Sequence, residues 1–245
     1  MSQTPTLNID SVYVSYDGAN DVISDISLQT QPGEFFGLIG LNGAGKTTLI
    51  KSILGLRSQR EGEISIFGKP CTNAESKQNL AYLPERFDPP WFLTGLEFLR
   101  FSLKLYGQKV SDDVFYEYAE KLALDKNALK RRVQTYSKGM RQKLGLLGTV
   151  LTNCKLLILD EPMSGLDPRA RTLVKDMLMN IKSEGRTIFL SSHILADMDE
   201  ICDNVAVLHD GHIQFTGTPS NLKKQTHCEN LERAFLHFIE KPAAA

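Results

Sequence analysis

Cysteine is scarce in this 245-residue chain, and the four present, Cys71, Cys154, Cys202 and Cys228, form no C-x-x-C pair. That scatter argues against a disulfide framework and a zinc site, and predicts reduced cytosolic thiols with a structural role only. No apolar run reaches the ~18 residues a bilayer span needs, because Asn153 and Lys155 interrupt the richest one. The N-terminus lacks a charged-then-apolar leader pattern, so the chain is expected to be soluble, or held at a membrane only through a partner. Neither sign of charge dominates: 28 Lys and Arg against 29 Asp and Glu leave a formal net charge of −1. A global basic field is excluded, and with it the coating of nucleic acid, so any basic function is local. Internal repeats and low-complexity linkers are also missing, and the closing Lys-Pro-Ala-Ala-Ala carries no structural pattern.

What is present is a chain with 42% hydrophobic residues, enough for one large core carrying a smaller inserted subdomain. "TLNIDSVYVSY" and "DVISDISLQT" alternate around Asp17-Gly18, and "GEISIFGK" adds a short strand, which together predict an antiparallel β layer. "GEFFGLIG" is an apolar strand ending in glycine, followed by a helix on which Leu49, Ile50, Ile53 and Leu54 recur before Gly55. "KLLILDEP" and "RTIFLSSH" are continuous apolar strands separated by a helix from about Arg169 to Ser183, the pattern of a parallel sheet with crossover helices.

From about Arg86 to Val150 strand signals vanish and an inserted helical subdomain is predicted. Thr94 and Glu97 have capping-box spacing for a helix with Leu96, Leu99, Leu103 and Tyr106 on one side and Phe98 and Phe101 on the other. A hairpin about Asp210-Gly211 and an amphipathic helix with Leu231, Phe235, Phe238 and Ile239 are expected at the C-terminal end.

Two motifs carry chemistry. "GLNGAGKT", Gly40 to Thr47, fills every fixed position of a phosphate loop between a strand and a helix. Its glycines, among them Gly40, Gly43 and Gly45, let successive amides close around phosphate oxygens, with Lys46 reaching the terminal phosphates and Thr47 offering a hydroxyl to Mg²⁺. "LLILDEP" then places Asp160 and Glu161 at a strand end, where open α/β sheets line the ligand crevice. Asp160 is suited to the metal shell and Glu161 to polarising a water; His193, after the next strand, is placed to contact the γ-phosphate or that water. Read alone, an acid pair at a strand end is equally a solvated one, and a lone histidine is usually a cap or surface residue.

In this order the elements resemble an ATP-binding cassette (ABC) transporter ATPase over nearly the whole chain. The resemblance implies an α/β fold: a P-loop NTPase core with an antiparallel β subdomain and an inserted α-helical signature subdomain. One domain over 1–240 is expected, with 1–85 and 151–225 as core and β subdomain, 86–150 helical and 226–240 a C-terminal helix. By resemblance, Tyr16 stacks on adenine, "GLNGAGKTT" with Asn42 and Thr48 is the Walker A loop, "LLILDE" is Walker B, Ser164 to Asp167 is the D-loop, and His193 is the switch histidine. Tyr136-Ser137-Lys138-Gly139-Met140 stands where the family has Leu-Ser-Gly-Gly-Gln, so Ser137 and Gly139 keep the phosphate donors, offered to a nucleotide on a partner chain. Glu85 replaces the usual Q-loop glutamine as a metal ligand and adds negative charge beside the triphosphate.

The family further implies ATP and Mg²⁺, a homodimer or heterodimer of ATPase subunits, and an integral membrane permease, and "YLPE" and "YSKGM" resemble members that pair with permeases of exporter type. Location at the cytoplasmic face of the cell membrane follows, with Trp91 or Phe92 partly exposed where a permease docks. Seven Lys or Arg lie between Lys126 and Lys143 with no acid among them, and apart from the Ser137 motif they are expected to be solvated. Two other readings compete: a soluble non-transport ATPase of the same type, which usually carries tandem cassettes or long coiled-coil insertions absent here, and a small P-loop phosphotransferase. "YSKGM" with "SGLD" argues against the latter.

Overall fold

The structure, a computed structural model, describes residues 4–240, and the closing pentapeptide noted above lies outside them. Two sheets form successive layers. The first is antiparallel, with β1 (Leu7–Ser15), β2 (Asp21–Thr30), β4 (Glu61–Ile66) and β5 (Lys69–Pro70) in the order β2-β1-β4-β5. The second contains β3 (Phe35–Ile39), β6 (Leu80–Leu83), β7 (Leu156–Asp160), β8 (Thr187–Ser192), β9 (Asn204–His209) and β10 (His212–Gly217) in the order β10-β9-β3-β8-β7-β6. It is parallel except for β10, which returns through a two-residue turn. Asp210 and Gly211 both have positive φ, as the expected Asp-Gly hairpin requires.

β3, β7 and β8 read as unbroken apolar runs because both of their faces are covered. The two-residue period splits their side chains between two cores. Phe36, Leu38, Leu156, Ile158 and Phe189 meet the β layer and helix α1 (Lys46–Ile53), with the Phe36 and Phe189 rings stacked at 5.6 Å. Phe35, Ile39, Leu157, Leu159, Ile188 and Leu190 face the remaining helices.

Between β6 and β7 lie α2 (Gly95–Leu105), α3 (Asp112–Lys121) and α4 (Lys138–Val150). The Thr94 and Glu97 capping box is present in both directions, a feature worth about 1 kcal/mol. Leu96, Phe98, Leu99 and Leu103 of α2 are buried; Phe101 and Tyr106 are not, at 52% and 38% exposure. Tyr106, which the spacing places on the Leu96 side, lies just past the end of α2, where the chain turns away at Gly107 with φ +68. Trp91 and Phe92 stand exposed in the preceding loop, edge to face with each other.

The last third adds α5 (Pro168–Ser183), α6 (Leu195–Ile201), α7 (Pro219–Thr226) and α8 (Leu231–Ile239). Phe235 of α8 packs in the helical-side core, as its periodicity predicts. Among the described residues no helix is long and apolar enough to cross a membrane. The four cysteines are free thiols, three of them buried.

Candidate active site

The site grows from the loop that leaves β3. Gly45 sits at φ 109, which an L side chain rarely adopts, and a Cβ there would lie 2.5 Å from Ile23. At Gly40 an added Cβ would approach the Leu208 carbonyl to 2.6 Å. These constraints press the loop against β2 and β9 and start α1 at Lys46, whose first-turn amides have no partner within the helix. The Lys46 ammonium folds back over the loop, donating to the Gly40 carbonyl at 2.7 Å and the Leu41 carbonyl at 3.3 Å. It lies 3.5 Å from Glu161 Oε1.

The carboxyl ends of β7 and β8 supply the opposite wall. Asp160 is buried; its Oδ1 accepts from Ser191 Oγ at 2.5 Å and its Oδ2 from Thr47 Oγ1 at 3.3 Å. Burial raises its pKa above the usual carboxylate range, and the nearby charges of Glu85 and Glu161 push the same way. Glu161 has φ 49, a left-handed conformation, and its amide donates to the carbonyl of Ser191. Its Oε2 accepts from His193 Nδ1 at 2.9 Å, which places the Nδ1 proton on that bond and leaves Nε2 free. Oε1 is buried, and among the described residues none donates a hydrogen bond to it. An orphaned carboxylate oxygen beside an ammonium is the place for the proton of a bound water.

These groups line a cleft of about 410 Å³ formed by Val22, Leu41, Asn42, Gly43, Gly45, Lys46, Thr47, Thr48, Glu85, Asp160 and Glu161. Val22 and Leu41 are the wall residues that motif reading missed, since neither carries a chemical signature. Gly40 lies behind the loop, and His193 reaches the cleft through Glu161. Tyr16 stands just outside it, tied by its hydroxyl to Thr48 Oγ1 at 3.3 Å.

The donor set toward a metal ion, the Thr47 hydroxyl with the Asp160 and Glu85 carboxylates, is all oxygen and suits a hard divalent cation. The raised pKa of Asp160 beside a second carboxylate fits the same ion, whose charge would reverse that cost.

Ser137 and Gly139 are not part of this cleft. Ser137 caps α4, its Oγ accepting the Met140 amide at 3.2 Å, so the hydroxyl proton remains available to an anion. The basic stretch around Ser137 and Gly139 is largely solvated, as expected: Lys126, Lys130, Arg131, Arg132 and Lys138 are exposed, while Arg141, which donates to the Tyr136 carbonyl, and Lys143 are half-buried. Partial burial lowers the pKa of Lys143.

A parallel sheet with a glycine-rich loop, an ammonium and two carboxylates at its carboxyl edge defines a P-loop nucleotide-binding domain. The comparisons go further. The family model described as ABC transporter matches residues 23–164. The chain belongs to the ABC transporter family.

It is similar to an uncharacterized ABC transporter ATP-binding protein of Synechocystis, 40% identical over 80% of this chain and 56% of that protein. It is also similar to the bacitracin transport ATP-binding protein of Enterococcus faecalis, 37% identical over 85% of this chain and 68% of the relative. The Nod factor export ATP-binding protein I of Rhizobium meliloti is 37% identical over 89% of this chain and 66% of that protein. The chain spans little more than half the length of the first two curated relatives it matches. A solved structure of an ATP binding subunit of an ABC transporter superposes with TM-score 0.87 at 32% identity, covering 96% of this chain and 99% of that one.

Proposed function

We propose that this chain is the ATP-hydrolysing subunit of an ABC transporter, pairing with a second ATPase subunit around two ATP molecules to drive a separate exporter-type permease. The observation that carries this reading is Glu161. Its buried Oε1 lacks a donor, its Oε2 is fixed by His193, and both stand at the phosphate-loop cleft beside Lys46. In this reading Glu161 takes the proton of the attacking water while His193 keeps its carboxylate oriented. Lys46 leaves the Gly40 and Leu41 carbonyls for the terminal phosphates, and the loop and α1 amides hold the remaining phosphate oxygens. Thr47, Asp160 and Glu85 hold Mg²⁺, which when bound offsets phosphate charge. Tyr16 takes the base, while Ser137 and Gly139 serve the partner subunit's nucleotide.

The division into 1–85 with 151–225, 86–150 and 226–240 follows the same reading, as does residence at the cytoplasmic face of the cell membrane through the permease. Export as the direction of transport is supported by relatives whose names carry export of Nod factor and fluoroquinolones. The test is phosphate release from ATP and Mg²⁺ with no acceptor added. Release that is lost in Glu161→Gln is expected. Turnover that requires an acceptor molecule contradicts hydrolysis, and turnover unchanged in Glu161→Gln contradicts the role of this carboxylate.

A further inference from the structure

Arg57 lies outside every motif, yet it is held against the Tyr16 ring beside the cleft. Its guanidinium carbon is 4.1 Å from the centroid of the Tyr16 ring. The position is fixed at both ends. The Arg57 amide bonds to the Lys51 carbonyl, closing the end of α1, and its Nη2 donates to the carbonyl of Ser15, the last residue of β1. Among the described residues no carboxylate pairs with it, so its charge is not neutralised by an ion pair.

Tyr16 is anchored as well. Its hydroxyl meets Thr48, which lines the cleft, and the loop that follows is fastened by Asp17. Asp17 accepts from the amides of Asn20 and Ala19 and from the Ser15 hydroxyl, which hold its carboxyl well below the usual range. One face of the ring lies under Arg57, and 54% of the residue is still exposed.

We infer that Arg57 is a specificity-determining residue for the base: it backs Tyr16, so that a purine stacks on the opposite face in a layer of guanidinium, phenol and base. This rests on the reading of Tyr16 as the base platform. Two physical effects act together. The cation draws π density toward itself, which lessens the repulsion between the phenol and an electron-rich purine. The fixed ring is also already in its stacking orientation, so less freedom is lost when the nucleotide arrives. Neither effect reaches a ligand that has phosphates and no base.

The experiment measures calorimetric dissociation constants of ATP and of inorganic tripolyphosphate for the wild type, Arg57→Ala, Tyr16→Ala and the double variant. Arg57→Ala is expected to weaken ATP about two- to fivefold and to leave tripolyphosphate unchanged, which also shows that the fold is intact. Tyr16→Ala is expected to weaken ATP about five- to 150-fold, and in that background Arg57→Ala adds nothing. Arg57→Lys, which keeps the charge but not the plane, should fall between. Tighter ATP binding by Arg57→Ala overturns the inference, because the guanidinium would then occupy the face the base needs. Equal losses for ATP and tripolyphosphate also overturn it, by assigning Arg57 to phosphate, as does a full Arg57→Ala loss in the Tyr16→Ala background. If Tyr16→Ala leaves ATP affinity untouched, the base-platform reading fails too.

Discussion

The phosphate-loop edge of the core and the Ser137 edge of the helical segment share one device, a helix start behind a small N-cap residue, Gly45 or Ser137. They are built to different degrees of completion. At the first, Lys46, Asp160 and Glu161 are only 7%, 1% and 4% exposed, and their partners come from separate strands and loops. At the second, Ser137 and Lys138 are exposed, and the helix start is held by its own cap. Buried charges are tolerated only where partners or a ligand compensate them, so the first edge is organised around an anion within one chain. At the second, the Ser137 hydroxyl accepts the Met140 amide and can still donate its own proton. In the proposed reading, one chain holds one wall of a site and the complement of another.

The largest effect expected breaks the comparison at its catalytic side. Glu161→Gln should still bind ATP but turn over ~10² to 10⁴-fold more slowly, the scale for loss of a general base. It should then accumulate an ATP-dependent dimer, seen by light scattering, and Ser137→Arg in the same chain should abolish it. A Glu161→Gln protein that stays monomeric at high concentration, or a dimer indifferent to Ser137→Arg, removes the complementary role of the second edge.

Next in size, Lys46→Ala removes the buried ammonium and should weaken ATP about tenfold to a hundredfold, the worth of a charge-assisted hydrogen bond set. Calorimetry reads it directly, and undiminished affinity would show that the loop amides suffice. The smallest effect on the isolated subunit is expected from Trp91→Asp or Phe92→Asp. Both side chains are more than half exposed, so ATPase activity and fold should persist while transport by the assembled permease complex falls. Unfolding of either variant would place these rings in a core instead.

Much of the architecture was legible because its causes are local. The capping box at Thr94 and Glu97, the Asp210-Gly211 turn, the α5 span and the buried runs of β3, β7 and β8 each follow from backbone preference or side-chain period. β6 has only four residues, too few for a period to show, and is a strand because β7 pairs with it. α3 and α7 follow the N-cap residues Ser111 and Thr218, of which only Thr218 makes a side-chain cap bond, and α7 carries a single leucine, Leu222. The fate of Phe101 and Tyr106 depended on where α2 ends and on which neighbours it meets, which no pattern within eleven residues encodes.

The sequence by itself determined the phosphate loop, the acid pair at the end of an apolar strand and the alternation of strands and helices. Each is a matter of residue type at short spacing, where geometry is set by covalent neighbours. Only the tertiary structure decided that His193 grips Glu161, that Ser191 and Thr47 share Asp160, and that Arg57 covers Tyr16. Those contacts join residues about 30 to 110 positions apart, and the ones at Asp160 and Glu161 depend on sheet order: β8 lies between β3 and β7, which brings three strand ends to one edge. Separation of the Ser137 edge from its own chain's cleft is likewise a property of packing, because a motif states which groups are offered and not which way they face.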